Sequence, residues 1–181
     1  YYYYTLHPFS YSELEGLQPK IKIDQELPFD EKTQYSTYEL LFEKGPFPEP
    51  LLRQNAKFIR RWRNNRMERF IKEDIRDLTA VRDLGNLTLL ADLLPQRAAS
   101  ILSINNLAGD LQVNYRTIAN WLDIFEQFYY CFRIPPFQSK KISSVRKEKK
   151  LYLWDWSSIK DNGARLENLL ASHLLKFCHF F

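Results

Sequence analysis

The sequence predicts an α+β fold that is mostly α, and three observations carry that prediction. Apolar residues recur at three- and four-residue steps over several segments, the longest running from Phe58 to Leu78. Two short β-rich runs, Tyr129 to Ile134 and Leu151 to Trp154, lie late in the chain on either side of a Pro-Pro break and a basic loop. The composition supports a packed core: 181 residues, 45% hydrophobic and 27% charged, with 5 Gly and 9 Pro, exclude collagen-like, low-complexity and disordered readings.

Taken in order, Thr5 to Ser10 reads as the end of a buried strand, because Tyr, Thr, Leu and Phe precede a proline and a serine cap. A short helix starts at Ser12. Gly16 to Glu31 is acidic and punctuated by proline, an irregular connection with a short extended piece at Ile21 to Ile23. Tyr35 to Glu43 is a short helix, stopped by Gly45-Pro46-Phe47-Pro48, where fixed φ angles and missing N–H groups break a regular ladder. In the long helix that follows, Phe58, Ile59, Trp62, Phe70, Ile71, Ile75 and Leu78 form one apolar stripe. Arg60, Arg61, Arg63, Arg66 and Arg69 occupy the remainder, as on a surface helix packed along one side. Asp83 to Pro95 places Leu87, Leu90, Ala91 and Leu94 at helical spacing, and Gln96 to Ser100 can carry another turn.

The most informative stretch is Ser103 to Phe128. Ser103 precedes a helix with Leu107, Ala108 and Leu111 facing inward, Gln112-Val113 makes a tight turn, and Asn114 caps a second helix. Ile118, Trp121, Leu122 and Phe125 form the inner side of that second helix. This is a helix-turn-helix pattern, and the two β-rich runs behind it, joined by a basic loop, extend it to a winged helix with a small β-hairpin wing. Gly163 to Phe181 closes the chain as a helix with Leu166, Leu169, Leu170, Leu174 and Phe177 on one face. The chain begins as a strand entered midway and ends in an uncapped helix, and it reads as a piece of a longer protein.

Charge is distributed in blocks. The 26 Lys and Arg exceed the 22 Asp and Glu, but residues 1–50 hold 4 basic against 9 acidic groups. Residues 57–76 hold 8 against 3, and residues 140–150 hold 6 against 1. Such basic blocks can neutralise phosphates, and they can equally be solvated faces. Glu68, Glu73 and Asp74, interleaved with the arginines, favour the solvated face for the first block. Two cysteines, Cys131 and Cys178, are too few for a disulfide framework and are expected as buried small hydrophobes. His173, Cys178 and His179 do not suggest a metal centre, since neighbours 178 and 179 point to different sides of a helix. No apolar run approaches the ~20 residues of a bilayer-spanning helix and no secretory leader is evident, so a cytoplasmic chain without membrane contact is expected. G-x-x-x-x-G-K-[ST], H-E-x-x-H, G-x-S-x-G and Cys-x-x-Cys are all absent, so no catalytic residue is expected in this chain.

The segments LHPFSYSEL at 6–14, GPFPEPLL at 45–52, ERFIKEDIRDL at 68–78, LAGDLQVNYRTIANWLDIFEQFYYCFRIPPF at 107–137, KLYLWD at 150–155 and GARLENLLASHLL at 163–175 occur in a specific order. In that order they resemble the C-terminal two thirds of bacterial and archaeal AAA-type ATPases that carry a C-terminal domain of unknown function. The resemblance implies three regions: 1–54, the end of an ATPase core and its lid connection; 55–155, a helical and winged-helix domain; and 156–181, the start of a restriction-endonuclease-like domain. It implies that Gly45, Phe47 and Pro48 contribute backbone and apolar contacts to adenine, although Pro46 stands where the family's usual pattern has a second glycine. A Gly/Pro helix stop explains the same residues structurally. It implies ATP and Mg in the parent protein, with neither expected to bind this segment alone. Glu167 resembles the glutamate at the entrance of the downstream domain.

Two functions follow. In the first, the winged helix binds DNA, with Tyr115, Arg116, Ala119, Asn120 and Asp123 on the exposed recognition face and Lys140, Lys141, Arg146 and Lys147 in the wing touching phosphates. Asp123 and Glu126 outweigh Arg116 on that helix, which opposes entry into a groove. In the second, the winged helix packs on the ATPase core of the same chain and relays nucleotide state to the downstream domain, to a protein partner or within a homo-oligomer. A protein–protein interaction module without nucleic-acid binding is the alternative.

Overall fold

The computed structural model describes residues 5–17, 34–53, 55–76, 81–137 and 148–180. It is mostly helical with one two-stranded antiparallel sheet, the α+β class that the sequence predicts.

Thr5 to Ser10 is an extended segment rather than a buried strand. Leu6 is 97% exposed, and the segment's bond to distant backbone is Phe9 N–H to the Pro46 carbonyl at 3.0 Å. β-prone side chains make a strand only beside another edge, and none adjoins this segment among the described residues. Ser10 opens α1 (Tyr11–Leu14), where the Glu13 carboxylate reaches back to the Ser10 amide at 2.8 Å and its hydroxyl at 2.9 Å. The extended piece expected at Ile21 to Ile23 lies outside the described residues.

Helix α2 (Tyr35–Lys44) ends at Gly45, whose φ of 83° lies in the region where only glycine is unstrained. The Gly-Pro-Phe-Pro run ends one helix and starts another: Pro48 takes the first position of α3 (Pro48–Leu52), where a missing N–H costs nothing. Helix α4 (Ala56–Arg69) is capped by Asn55, which accepts the Lys57 and Phe58 amides at 3.0 and 3.1 Å. It runs on as a wider π-helical turn, Phe70–Ile75. Hydrogen bonding to the fifth residue brings Phe70 and Ile75 to one face, and Phe70, Ile71 and Ile75 are all buried. The Phe70 ring packs against Phe125, Phe128 and Tyr130.

After Asp83, the N-cap, α5 (Leu84–Leu93) buries Leu87, Leu90 and Ala91 and tightens into a 3-10 turn at Leu94–Gln96. The further helical turn expected over Gln96 to Ser100 does not form, because its backbone is committed to the sheet. Ala99 N–H bonds to the Leu151 carbonyl at 2.8 Å, and Leu151 N–H bonds to the Ser100 carbonyl at 3.0 Å.

Helices α6 (Ile104–Leu111) and α7 (Tyr115–Gln127) form the helix-turn-helix. Ser103 and Asn114 are the caps that the sequence marks, and Gln112 makes the turn in a left-handed conformation. Leu107 and Leu111 on α6, and Ile118, Trp121, Leu122 and Phe125 on α7, are buried against one another and against α5 and the π-helical turn. Strands β1 (Cys131–Ile134) and β2 (Lys150–Leu153) pair antiparallel, Cys131 opposite Leu153 and Ile134 opposite Lys150. One core joins Leu41 and Leu51 at the front of the chain to Leu169 near its end.

The last helix, α8 (Asn162–Phe180), departs from its expected orientation. Asn168, Leu169 and Ser172 are buried, whereas Leu166, Leu170 and Leu174 form an exposed stripe. The rotation is set by polar contacts that hydrophobic spacing does not register: the Asn168 side chain is bonded to the backbone of Leu153. Cys131 is buried as expected, but Cys178 is exposed on the outer side of α8. Among the described residues no helix is long and apolar enough to cross a membrane, and no group of three or more acidic, His or Cys side chains could hold a metal.

Candidate functional site

The turn Gly45-Pro46-Phe47-Pro48 is locked onto the segment that leaves β2. A Cβ on Gly45 would lie 2.7 Å from Asp155 Oδ1 and 2.9 Å from Ser157 Cβ, so backbone and carboxylate meet where any other residue would intrude. The Leu41 carbonyl accepts both Gly45 N–H at 3.1 Å and the buried Trp156 Nε1–H at 3.0 Å. Asp155 accepts the Ser157 amide and hydroxyl and, at 3.2 Å, the guanidinium of Arg66. That guanidinium lies 3.9 Å from the centroid of the Phe47 ring and 5.4 Å from that of Trp62. Burial works against the charge of Arg66, and Asp155 supports it. Of the three residues expected to approach adenine, Gly45 is therefore buried against Asp155 and Ser157. Phe47 is half-buried between Trp62 and Arg66, and Pro48 is exposed.

The helix-turn-helix presents its expected outer face. Tyr115, Arg116 and Asn120 are exposed and Ala119 is half-buried. The electrostatics differ from the simple charge count. Arg133 on β1, its side chain 7% exposed, donates to Asp123 at 2.5 Å and to Glu126 at 2.7 Å. Burial opposes its charge, but the two carboxylates hold its pKa above the ordinary arginine value. The acids that would repel a phosphate from α7 are thus tied to the sheet. A groove of about 540 Å³ runs between the start of α7 and the root of the hairpin, lined by Tyr115, Arg133, Glu148 and Lys149 among others. Lys140, Lys141, Arg146 and Lys147 lie outside the described residues.

Compared with known families, residues 35–159 match the model named Domain of unknown function (DUF8612). The chain belongs to this family. No curated protein and no solved structure matches it. The DUF8612 unit begins with α2 and ends just after the Trp156–Ser158 turn, so it contains the Gly45 turn, the basic helix, the helix-turn-helix and the hairpin, but not α8.

Several residues that organise the DUF8612 unit escape a reading by pattern. Arg66 looks like one more solvent-facing arginine of α4, yet it is the one folded back onto Phe47 and Asp155. Arg133 interrupts a β-rich run, and a lone charge at the centre of such a run is the available hint that it pairs inward. Glu167, singled out by resemblance, bonds to Lys150 Nζ and to the Tyr152 hydroxyl, both at 2.8 Å. Burial and that carboxylate push the Tyr152 phenol up to about 12. Tyr129 follows α7 with a φ of 56°, a conformation that a bulky side chain rarely adopts, and no sequence rule marks it.

Proposed function

We propose that this DUF8612 chain is the lid and winged-helix part of an ATP-binding AAA-type ATPase that couples nucleotide state to a downstream domain. The observation that carries this reading is the close approach of Gly45 to Asp155 and Ser157. It joins the lid turn, without an intervening side chain, to the segment leaving the hairpin, and Phe9 N–H ties the preceding segment to the same turn through the Pro46 carbonyl. A shift of the turn would have to move Asp155, and with it the end of β2, because packed interiors do not deform continuously. ATP and Mg belong on this reading to the ATPase core. For an adenine ring, the turn offers exposed Pro48 and half-buried Phe47 as apolar surface, since Gly45 is already occupied by this chain's own groups. In a protein carrying that core, ATP should slow hydrogen exchange at 45–52 and at 151–154 together, and Gly45→Ala should separate the two responses. Equal exchange at both segments with and without ATP overturns the reading.

DNA as a partner is supported by the exposed Tyr115, Arg116 and Asn120 and by the pairing of Asp123 and Glu126 with Arg133. Arg116→Glu with Asn120→Ala, and Glu at positions 140, 141, 146 and 147, should each abolish retention of a duplex in a mobility shift and flatten its salt dependence. A second reading, a protein-interaction module without nucleic-acid binding, is favoured by the exposed stripe Leu166, Leu170 and Leu174. Unaltered duplex retention in both variants removes DNA from the helix-turn-helix.

A further inference from the structure

The basic side of α4 faces a groove that the coupling reading leaves unused. From residue 50 to residue 67 the chain has no acidic residue and six basic ones. Arg61, Arg63, Arg66 and Arg69 line a groove of about 520 Å³, with Trp62 and Tyr129 also on its walls. Among the described residues, Arg61, Arg63 and Arg69 have no carboxylate within ion-pair distance, and the Arg63 Nε is buried without a hydrogen-bond partner. Glu49 and Asp74 also line this groove, both exposed, and Asp155 is committed to Arg66. A second groove of about 340 Å³, lined by Pro48, Phe9 and Trp154, shares Arg66, Phe128 and Tyr129 with the first. The two grooves therefore border each other at Tyr129.

Tyr129 is the independent observation. Its amide and that of Tyr130 bond back to the Glu126 and Phe125 carbonyls, the arrangement that ends helices with a left-handed residue. Glycine is the unstrained residue at such a position, and tyrosine there bears a standing conformational cost. Its ring meets that of Trp154 edge-on, with centroids 5.9 Å apart, yet the residue stays 54% exposed where the two grooves border each other. Arginine forks next to exposed rings, along two adjoining grooves, are the elements that hold a strand by its phosphates and stack its bases.

We propose that these adjoining grooves bind single-stranded nucleic acid, with Arg61, Arg63 and Arg69 on successive phosphates and a base stacked on Tyr129. The site is separate from the recognition face of α7, and at Phe47 and Pro48 it borders the apolar surface that the coupling reading offers to adenine.

The test uses the whole chain and the anisotropy of fluorescein-labelled oligothymidylate and oligouridylate of about twelve nucleotides. Tyr129→Gly relieves the backbone but also removes the ring and its contact with Trp154, so it should melt close to the wild type while binding weakens about tenfold or more. Arg61→Glu with Arg69→Glu should weaken binding further and reduce the salt slope by roughly 1.4, at ~0.7 per phosphate lost. Arg116→Glu with Asn120→Ala should leave single-strand binding unchanged. Wild-type affinity in either groove variant overturns the proposal. So does displacement of the oligonucleotide by ATP at equal nucleotide concentration, which would mark a mononucleotide pocket, or by an unlabelled duplex with equal effect.

Discussion

Asn168 satisfies both backbone groups of Leu153: its Oδ1 accepts the Leu153 N–H at 2.8 Å, and its Nδ2 donates to the Leu153 carbonyl at 2.7 Å. One fully buried side chain on α8 thereby completes the ladder of β2. Asn168→Ala would leave a buried donor and acceptor unpaired, so unfolding in urea should show a loss of about 2 to 4 kcal/mol. Asn168→Asp should be similarly destabilised at neutral pH, where a carboxylate cannot donate to the carbonyl, and should recover part of the loss in acid as the carboxyl gains its proton.

Gly45→Ala should destabilise the chain by about 1 to 3 kcal/mol, because the added carbon meets Asp155 and Ser157 at a positive φ. The amides of β2 should exchange faster in the variant, whereas a clash absorbed at the turn would leave them unchanged.

Arg133→Met should cost about 2 kcal/mol by equilibrium unfolding, since Asp123 and Glu126 lose their shared partner. Adding Asp123→Asn and Glu126→Gln should restore most of that loss, and additive effects in the triple variant would show that the three side chains do not act together.

Acid should weaken the junction between α1 and α8. His173 accepts the Tyr11 amide at Nε2, 3.1 Å away, and its Nδ1 then carries the proton toward the Leu169 carbonyl at 2.8 Å. Burial lowers its pKa, with Lys176 acting in the same direction and Glu13 against it. The unfolded chain, with histidine near its ordinary value of ~6.5, takes up the proton first, so the stability from neutral His173 is present above that value and lost as pH falls below it. His7 is lowered likewise, by burial first and then by His179 and Lys176, and adds to the same loss. The melting temperature should fall between about pH 7.5 and pH 5, and His173→Gln should flatten that fall.

The helices, both caps of the helix-turn-helix and the hairpin were legible because each rests on local signals: Ser103 and Asn114 at helix starts, three- and four-residue apolar spacing, and β-rich runs flanking a proline break. The rotation of α8 was not legible, since a buried asparagine decides it and leaves Leu166, Leu170 and Leu174 outside. The strand expected at Thr5 to Ser10 failed for a related reason: pairing is a property of two segments, and one alone does not reveal it. At the candidate site, Gly45 and the exposed face of α7 could be named from sequence. The grip of Arg66 on Phe47 and Asp155 could not, because it joins residues 19 and 89 positions apart in the chain.

The π-helical turn Phe70–Ile75 spends more residues on its advance than an α-helix would. Length is therefore negotiable there in a way that it is not in α4 or α7. Removing the exposed Lys72 should let the segment relax to ordinary α-helical winding with the downstream chain still in place, whereas the same excision inside α7 would swing Trp121 or Phe125 out of the interior. Natural one-residue gaps between related chains should accumulate at this turn.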